Sequence, residues 1–271
     1  MTGKRSGPTR RQTLVWHAFR PIPIAAAALV VLLLLAVVLV HHRSREARLL
    51  RADPDTVLNQ PDLRRAALDQ GRAVFLRHCA GCHGPDGRGA DDRGGAGVPD
   101  LTDHEWLYGE GQVSEIEAIV RYGIRSRNPK GWNLASMPAY ASLHPYAAEP
   151  LPTLTPGEVD DVVQLLVSYE GLQANPQAVA RGHAVFTKAG CWDCHGPDAR
   201  GDSAIGAPNL RDAITLYGGS AAVLRQTIEQ GRKGVSPAFA DRLSAAEIRA
   251  VAVYAASLSH SASRSVRKDA S

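Results

Sequence analysis

Two copies of Cys-x-x-Cys-His constrain this chain more than any other feature. They are Cys79-Ala-Gly-Cys82-His83 and Cys191-Trp-Asp-Cys194-His195, and they use all four cysteines of the 271-residue sequence. Each lies at the same place in an internal repeat, with Cys191 following Cys79 by 112 residues. Gly71-Arg-Ala-Val-Phe75 recurs as Gly182-His-Ala-Val-Phe186, Pro99-Asp-Leu as Pro208-Asn-Leu, and Leu107-Tyr-Gly as Leu216-Tyr-Gly. No cysteine is left over for a disulfide scaffold.

In Cys-x-x-Cys-His the two thiols add across the vinyl groups of haem, and the adjacent imidazole comes to lie under the iron. This is the signature of c-type haem attachment, and it implies two covalently attached haem c groups. A single zinc held by both Cys pairs would need the four thiolates to converge, and it leaves the repeated His unexplained. A thioredoxin-like pair would need a neighbouring strand and helix unit, which the sequence lacks. Four Phe is a thin aromatic supply for two cores, unless a porphyrin fills each one.

The secondary-structure signals are helical throughout, so the expected class is all-α, with a helix across the membrane before two tandem domains. Thr155-Pro-Gly-Glu158, Ser244-Ala-Ala-Glu247 and Ser114-Glu-Ile-Glu117 read as capping boxes ahead of apolar residues at helical spacing. The expected boundaries are domain one at 61–173 and domain two at 174–263, joined near Gly171 to Pro176, with a basic tail at 264–271. The segment from Gly123 to Met137, with Arg125, Arg127, Lys130 and Trp132, reads as a solvated loop or a docking lid over the first haem.

Ahead of the repeats, Ile22 to Val40 is apolar over about the thickness of a bilayer core. No small-residue cleavage signal follows it, so it is expected to be an uncleaved signal anchor at 22–40, between a cytoplasmic N-terminus at 1–21 and a linker at 41–60. Covalent haem is attached outside the bacterial cytoplasm. The expected location is therefore the inner membrane, single pass, with the haem domains in the periplasm.

Charge excludes a nucleic-acid reading. Residues 1–51 carry nine Lys and Arg against Glu46 alone, so the excess of positive charge flanks the apolar segment. Residues 52–175 hold 10 basic and 18 acidic residues, and that half is expected to attract a basic protein such as a soluble cytochrome c.

The sixth position on each iron turns on methionine, of which there are two, Met1 and Met137. Small c-type domains commonly take a Met from a loop well after the His. Met137, in Ser136-Met-Pro-Ala-Tyr140, is therefore expected to serve the iron of His83. The aligned segment of the second copy is Val235-Ser-Pro-Ala-Phe239, with Ser236 in place of Met. The iron of His195 is left with an open or water-bound position, or with His183, His260 or Lys233. Each outcome lowers its potential relative to a His/Met site.

From Gly71 to Leu258, about 70 % of the chain, the sequence resembles the two cytochrome c domains of the dihaem, membrane-anchored subunit III of cbb3-type cytochrome c oxidase. The likeness is carried by Phe75-x-x-x-Cys-x-x-Cys-His-Gly, Trp106-Leu-Tyr-Gly, Gly123-Ile-Arg and Met137-Pro-Ala in the first copy. In the second it is carried by Gly206-Ala-Pro-Asn-Leu, Leu216-Tyr-Gly-Gly and Pro237-Ala. Two departures are Ser236 and the absence of an aromatic, acidic stretch beside the membrane segment. The resemblance implies tandem class I cytochrome c folds, and it implies that the carbonyls of Pro99 and Pro208 hold His83 and His195 in place. It further implies electron transfer in a periplasmic respiratory chain towards a terminal oxidase, with no catalytic site of the chain's own. A cytochrome accepting electrons from a periplasmic dehydrogenase is the near alternative. A haem-based ligand sensor or dihaem peroxidase using an open second haem is the alternative of another class.

Overall fold

A long unbroken apolar run dictates the first element. The computed structural model describes residues 24–89, 97–143, 151–212 and 214–268, and its chain divides into two units at Ser44 and Arg45. Helix α1, Ile24–Arg51, runs through the first unit. Every large apolar side chain from Leu29 to Val40 is more than half exposed. An apolar surface all round a helix of this length suits lipid, and α1 is long and apolar enough to cross a membrane. The expected cytoplasmic segment 1–21 and the last residues of the basic tail, 269–271, lie outside the described residues.

The second unit is all helical, with isolated backbone bridges and no strand among the described residues. A 3-10 turn at Pro54–Asn59 leads to α2 (Pro61–His78), α3 (Ala80–His83), α4 (Val113–Tyr122), α5 (Pro156–Tyr169), α6 (Pro176–Lys188), α7 (Cys191–His195), α8 (Ala221–Gln230) and α9 (Ala245–Lys268). Part of the segment expected as a linker at 41–60 belongs to the core. Leu49 and Val57 are buried in the core with Ala67, Val113, Ile116 and Val253, and Arg249 donates to the carbonyls of Leu49 and Ala52 at 3.1 and 3.0 Å. That segment has its own apolar residues at Leu49, Val57 and Leu58, and they close one end of the helical core.

The two sequence copies do not pack as two sequential domains. Helix α5 closes the first copy yet packs on α6 and α8 of the second, while α9 closes the second copy and packs on α2 and α4 of the first. The repeated glycines mark both crossings. A Cβ at Gly71 would overlap the Ala250 carbonyl of α9, and a Cβ at Gly182 would overlap the Asp161 carbonyl of α5. The result is a continuous lobe, roughly 137–232, and a split lobe made of the chain before and after it. Their separate cores are Tyr140, Leu154, Val162, Val163, Val185 and Ile228 in one, and Val74, Phe75, Ile248, Val251 and Val253 in the other. The boundaries at 61–173 and 174–263 thus describe the repeat and not the packing. The connection between α5 and α6 supplies the reason. Residues 170–175 are too few for α5 to leave its neighbour, so the two helices fold back as an antiparallel hairpin.

Short backbone pairings repeat the exchange at the seam. Ile124 and Ser236 exchange two hydrogen bonds at 2.9 and 3.0 Å, and Met137 N–H donates to Arg232 O at 3.0 Å. Tyr140 N–H donates to Ile228 O, and, at the equivalent place, Phe239 N–H to Val120 O.

The boxes expected at Thr155/Glu158 and Ser244/Glu247 form, each carboxylate accepting from the backbone N–H and hydroxyl of its partner at 2.9 Å. The box expected at Ser114/Glu117 does not. Helix α4 begins after Gln112, with Glu115 accepting from the Gln112 N–H, because Ser114 bonds the Asp55 carboxylate and Glu117 pairs with Arg249. Glu158 also accepts from Lys188 Nζ at 2.6 Å across the α5–α6 hairpin, and this bond, then Thr155, pulls its pKa down from 4.5 to about 2. A carboxylate depressed on folding stabilises above its unfolded pKa, and that contribution is lost as pH falls through the folded one. Glu158→Gln is therefore expected to lower the urea midpoint at pH 7, and the gap to wild type is expected to close between pH 4.5 and about 2. Solvent screening keeps the ion-pair share below about 1 kcal/mol, so most of the effect is the cap. A gap constant across that pH range would show that the charge contributes nothing.

Candidate functional site

Both clusters are set by a helix end and a glycine. Cys79 N–H donates to Phe75 O at 2.8 Å, closing α2, and the single turn α3 carries Cys82 and His83 before Gly84 turns the chain out at φ 74°. Cys191 opens α7 after Gly190, and Gly196 at φ 75° repeats the exit. These left-handed exits favour glycine, and both copies have it.

His83 Nδ1 lies 3.3 Å from Pro99 O and His195 Nδ1 lies 3.0 Å from Pro208 O. A carbonyl can only accept, so Nδ1 carries the proton in both rings and Nε2 keeps its lone pair for a metal. Burial lowers the pKa of both imidazoles, with the carbonyl opposing it, which favours the neutral form. Burial pushes the thiols of Cys79 and Cys191 up to about 11, so neither is the low-pKa thiolate of a redox-active pair. Among the described residues, no three His, Cys, Asp or Glu side chains converge on a point, which removes the shared-zinc alternative.

One cavity of about 680 Å³ is walled by both clusters, with Cys79, Cys82, His83 and Pro99 in one part and Cys191, Cys194, His195 and Pro208 in the other. Phe75, Leu101, Ile116, Val162, Leu166 and Phe186 are among its apolar lining. Paired thiols beside an imidazole with a free Nε2, in an apolar enclosure, are the donor set a covalently held, flat and apolar iron macrocycle needs. The residues fit two such groups.

Met137 lines the cavity that both clusters share. Its side chain packs in the continuous lobe with Cys191, Val185 and Ile228, and Tyr140, three residues on, donates to Ala189 O at 2.9 Å and sits beside Cys191. This sets the Met137 segment against the lobe of the second cluster, through the same exchange of packing that moves α5. Phe239, from the Ser236 segment, packs instead with Cys79, Phe75 and Leu101. His183 is exposed on α6 with its ring against Tyr169, and Lys233 is exposed; neither lines the cavity. His260 lies on α9, and its side chain is outside the described residues.

The Gly123–Met137 segment is exposed at Arg127, Lys130 and Leu134, and Arg125 and Ala135 line the cavity. Arg125 donates to Ala135 O at 2.6 Å and to Tyr108 Oη at 2.7 Å, and it bonds Gly234 O across the seam; Trp132 Nε1 donates to Ala204 O at 3.1 Å. Sequence reasoning missed Tyr108, Tyr217 and Arg232 as cavity residues. The available signal was the twice-repeated Leu-Tyr-Gly. The Tyr108 ring fills the space over Gly206 and the Tyr217 ring that over Gly97, so each copy's Tyr closes the other's loop.

Fold and site together define a dihaem c-type cytochrome. The cytochrome c family model matches residues 68–170, and that of cytochrome c oxidase, cbb3-type, subunit III matches 177–254. The cbb3-type cytochrome c oxidase subunit CcoP of Rhodobacter capsulatus is 38 % identical over 221 residues, covering 79 % of this chain and 69 % of that protein. Subunit FixP of a Bradyrhizobium species is 36 % identical over 212 residues, 78 % and 68 % of the two chains. FixP of Azorhizobium caulinodans is 34 % identical over 208 residues, 77 % and 65 %. The chain belongs to the CcoP/FixP family of cbb3-type cytochrome c oxidase subunits. It is a membrane-anchored electron-transfer protein with two covalently attached haem c groups, and α1 is the one helix among the described residues that is long and apolar enough to be the anchor.

Proposed function

We propose that this chain carries electrons into a cbb3-type membrane oxidase from the periplasmic side, with its N-terminus in the cytoplasm. The observation that carries this reading is the single cavity walled by both Cys-x-x-Cys-His clusters. When bound, each haem supplies a one-electron iron couple. Cys79 with Cys82, and Cys191 with Cys194, would each hold one haem through thioether bonds. His83 and His195 would supply Nε2 as an iron ligand, and the Pro99 and Pro208 carbonyls keep the rings turned and Nδ1 protonated. The walls between the two sites are mainly apolar.

Orientation follows from attachment chemistry, since the cysteines must meet haem outside the cytoplasm. The acidic balance of residues 52–175 supports a basic soluble cytochrome c as donor. Affinity purification through a tag on this chain is expected to bring down an oxygen-reducing oxidase. Oxygen uptake driven by a basic cytochrome c is expected to fall about tenfold between about 0.01 and 0.1 M salt, as the screening length shortens. Purification with a periplasmic dehydrogenase and no oxidase would overturn the assignment, and salt-independent uptake would remove the electrostatic docking.

A further inference from the structure

We propose that Met137 serves the iron held by His195, and that the iron held by His83 keeps an open sixth position beneath Ser236. The position would take a small neutral ligand such as carbon monoxide or nitric oxide. The inference rests on the haem attachments proposed above and reverses the inequality that the repeat alone implies.

The exchanged packing carries it. The Met137 segment is strapped to the end of α8 by Met137 N–H to Arg232 O, Tyr140 N–H to Ile228 O and Ala141 N–H to Glu229 O, at 3.0 to 3.1 Å. It thereby faces the cavity wall formed with Cys191, and the Met137 side chain lies in the same apolar cluster as that cysteine. The Ser236 segment is strapped to the end of α4 in the same way. Ser236 pairs with Ile124, Phe239 N–H donates to Val120 O at 3.0 Å, and Ala240 N–H to Arg121 O at 3.2 Å. On the first cluster's side, the residue that the repeat sets in the place of a methionine is thus Ser236. Its hydroxyl is a short, neutral oxygen donor and a poor match for haem iron, which prefers imidazole, thioether or thiolate. The seam around it offers Val235, Pro237 and Ile124, none of them a ligand. His78 also lines the cavity, with its ring edge-on to Phe239 at 6.2 Å, and it is the internal competitor to test.

The test uses the full chain in its membrane complex, with two variants that each remove one attachment, Cys79→Ala/Cys82→Ala and Cys191→Ala/Cys194→Ala. Covalent haem per chain, the red-edge sulfur-to-iron charge-transfer band of the oxidised chain, and carbon monoxide binding to the reduced chain are read separately from any oxidase signal after dissociation. Wild type is expected to bind one carbon monoxide. Removing the first attachment is expected to keep the band and abolish carbon monoxide binding; removing the second is expected to do the reverse, and either variant alone decides. Met137→Leu in the intact dihaem chain is expected to raise carbon monoxide binding from one to two, and Ser236→Met to abolish it. A band that survives loss of the second attachment overturns the inference. So does a wild type that binds carbon monoxide only after His78→Ala. If haem content is not two in wild type and one in each variant, the attachment reading itself has failed.

Discussion

A chain stopped after Leu243, without α9, is expected to lose the fold around its first cysteine cluster and to keep the fold around its second. Helix α9 supplies Ile248, Ala250, Val251, Ala252, Val253 and Ala256 to the split lobe, each at most 1 % exposed. These side chains cover α2 and α4, and Arg249 ties the end of α1 to Glu117 through a buried pair. The branched residues alone are worth about 1.5–3 kcal/mol each on burial, and the covered faces of α2 and α4 lose as much again. That approaches or exceeds the about 5–15 kcal/mol by which a whole domain is stable. The apolar core of the continuous lobe ends at Ile228 and its last backbone strap at Arg232, so none of it comes from α9. Limited proteolysis followed by mass spectrometry is expected to digest 54–135 and leave a fragment near 137–232 that carries one haem. Tandem sequential domains would give the opposite pattern, with 61–173 resistant and the second cluster's repeat digested.

Gly182→Val is expected to be the most damaging single substitution in the continuous lobe. The residue lies where α6 crosses α5, and a Cβ would meet the Asp161 carbonyl and come within 2.9 Å of Leu165 Cβ. Backbone on one side and a fully buried Leu165 on the other leave nothing flexible to yield. Overpacking of this kind costs about 1–3 kcal/mol, and the upper end applies because a carbonyl must move. At about 4–8 °C per kcal/mol for a lobe of this size, the expected fall in its Tm is more than about 10 °C. The split lobe should melt where it does in wild type, since its own crossing is at Gly71 and touches Ala250 and Tyr254. A variant melting within about 2 °C of wild type would show that α5 and α6 do not cross here.

Much of this was legible in the sequence because it is local. Two cysteines and a histidine at fixed spacing specify attachment wherever the helix lies, and Thr155 and Ser244 meet their carboxylates within one turn. Ser114 failed as a cap because Asp55, 59 residues away, outbids Glu117 for its hydroxyl, and Glu117 is wanted by Arg249, 132 residues on. Arg249 itself interrupts an apolar run on α9 and reads as a surface residue until its carbonyl partners at Leu49 and Ala52 are seen. The exchange of α5 and α9 was hidden for a related reason. The same amphipathic helix forms against either copy, since both present the same glycine and phenylalanine, and alignment on the repeat assumes each copy closes on itself. The shortness of the connection at 170–175 was the one sequence signal against that assumption. The assignment of Met137 depended on it.

The most direct test of two unequal one-electron centres is a potentiometric titration of the dissociated chain, wild type beside the two cysteine-pair variants. Thioether ligation favours the reduced iron, so wild type is expected to titrate as two resolved one-electron steps. The upper step is expected to vanish with Cys191→Ala/Cys194→Ala and the lower with Cys79→Ala/Cys82→Ala. Loss of the upper step on removing the first cysteine pair, or a single unresolved two-electron wave in wild type, would contradict the account.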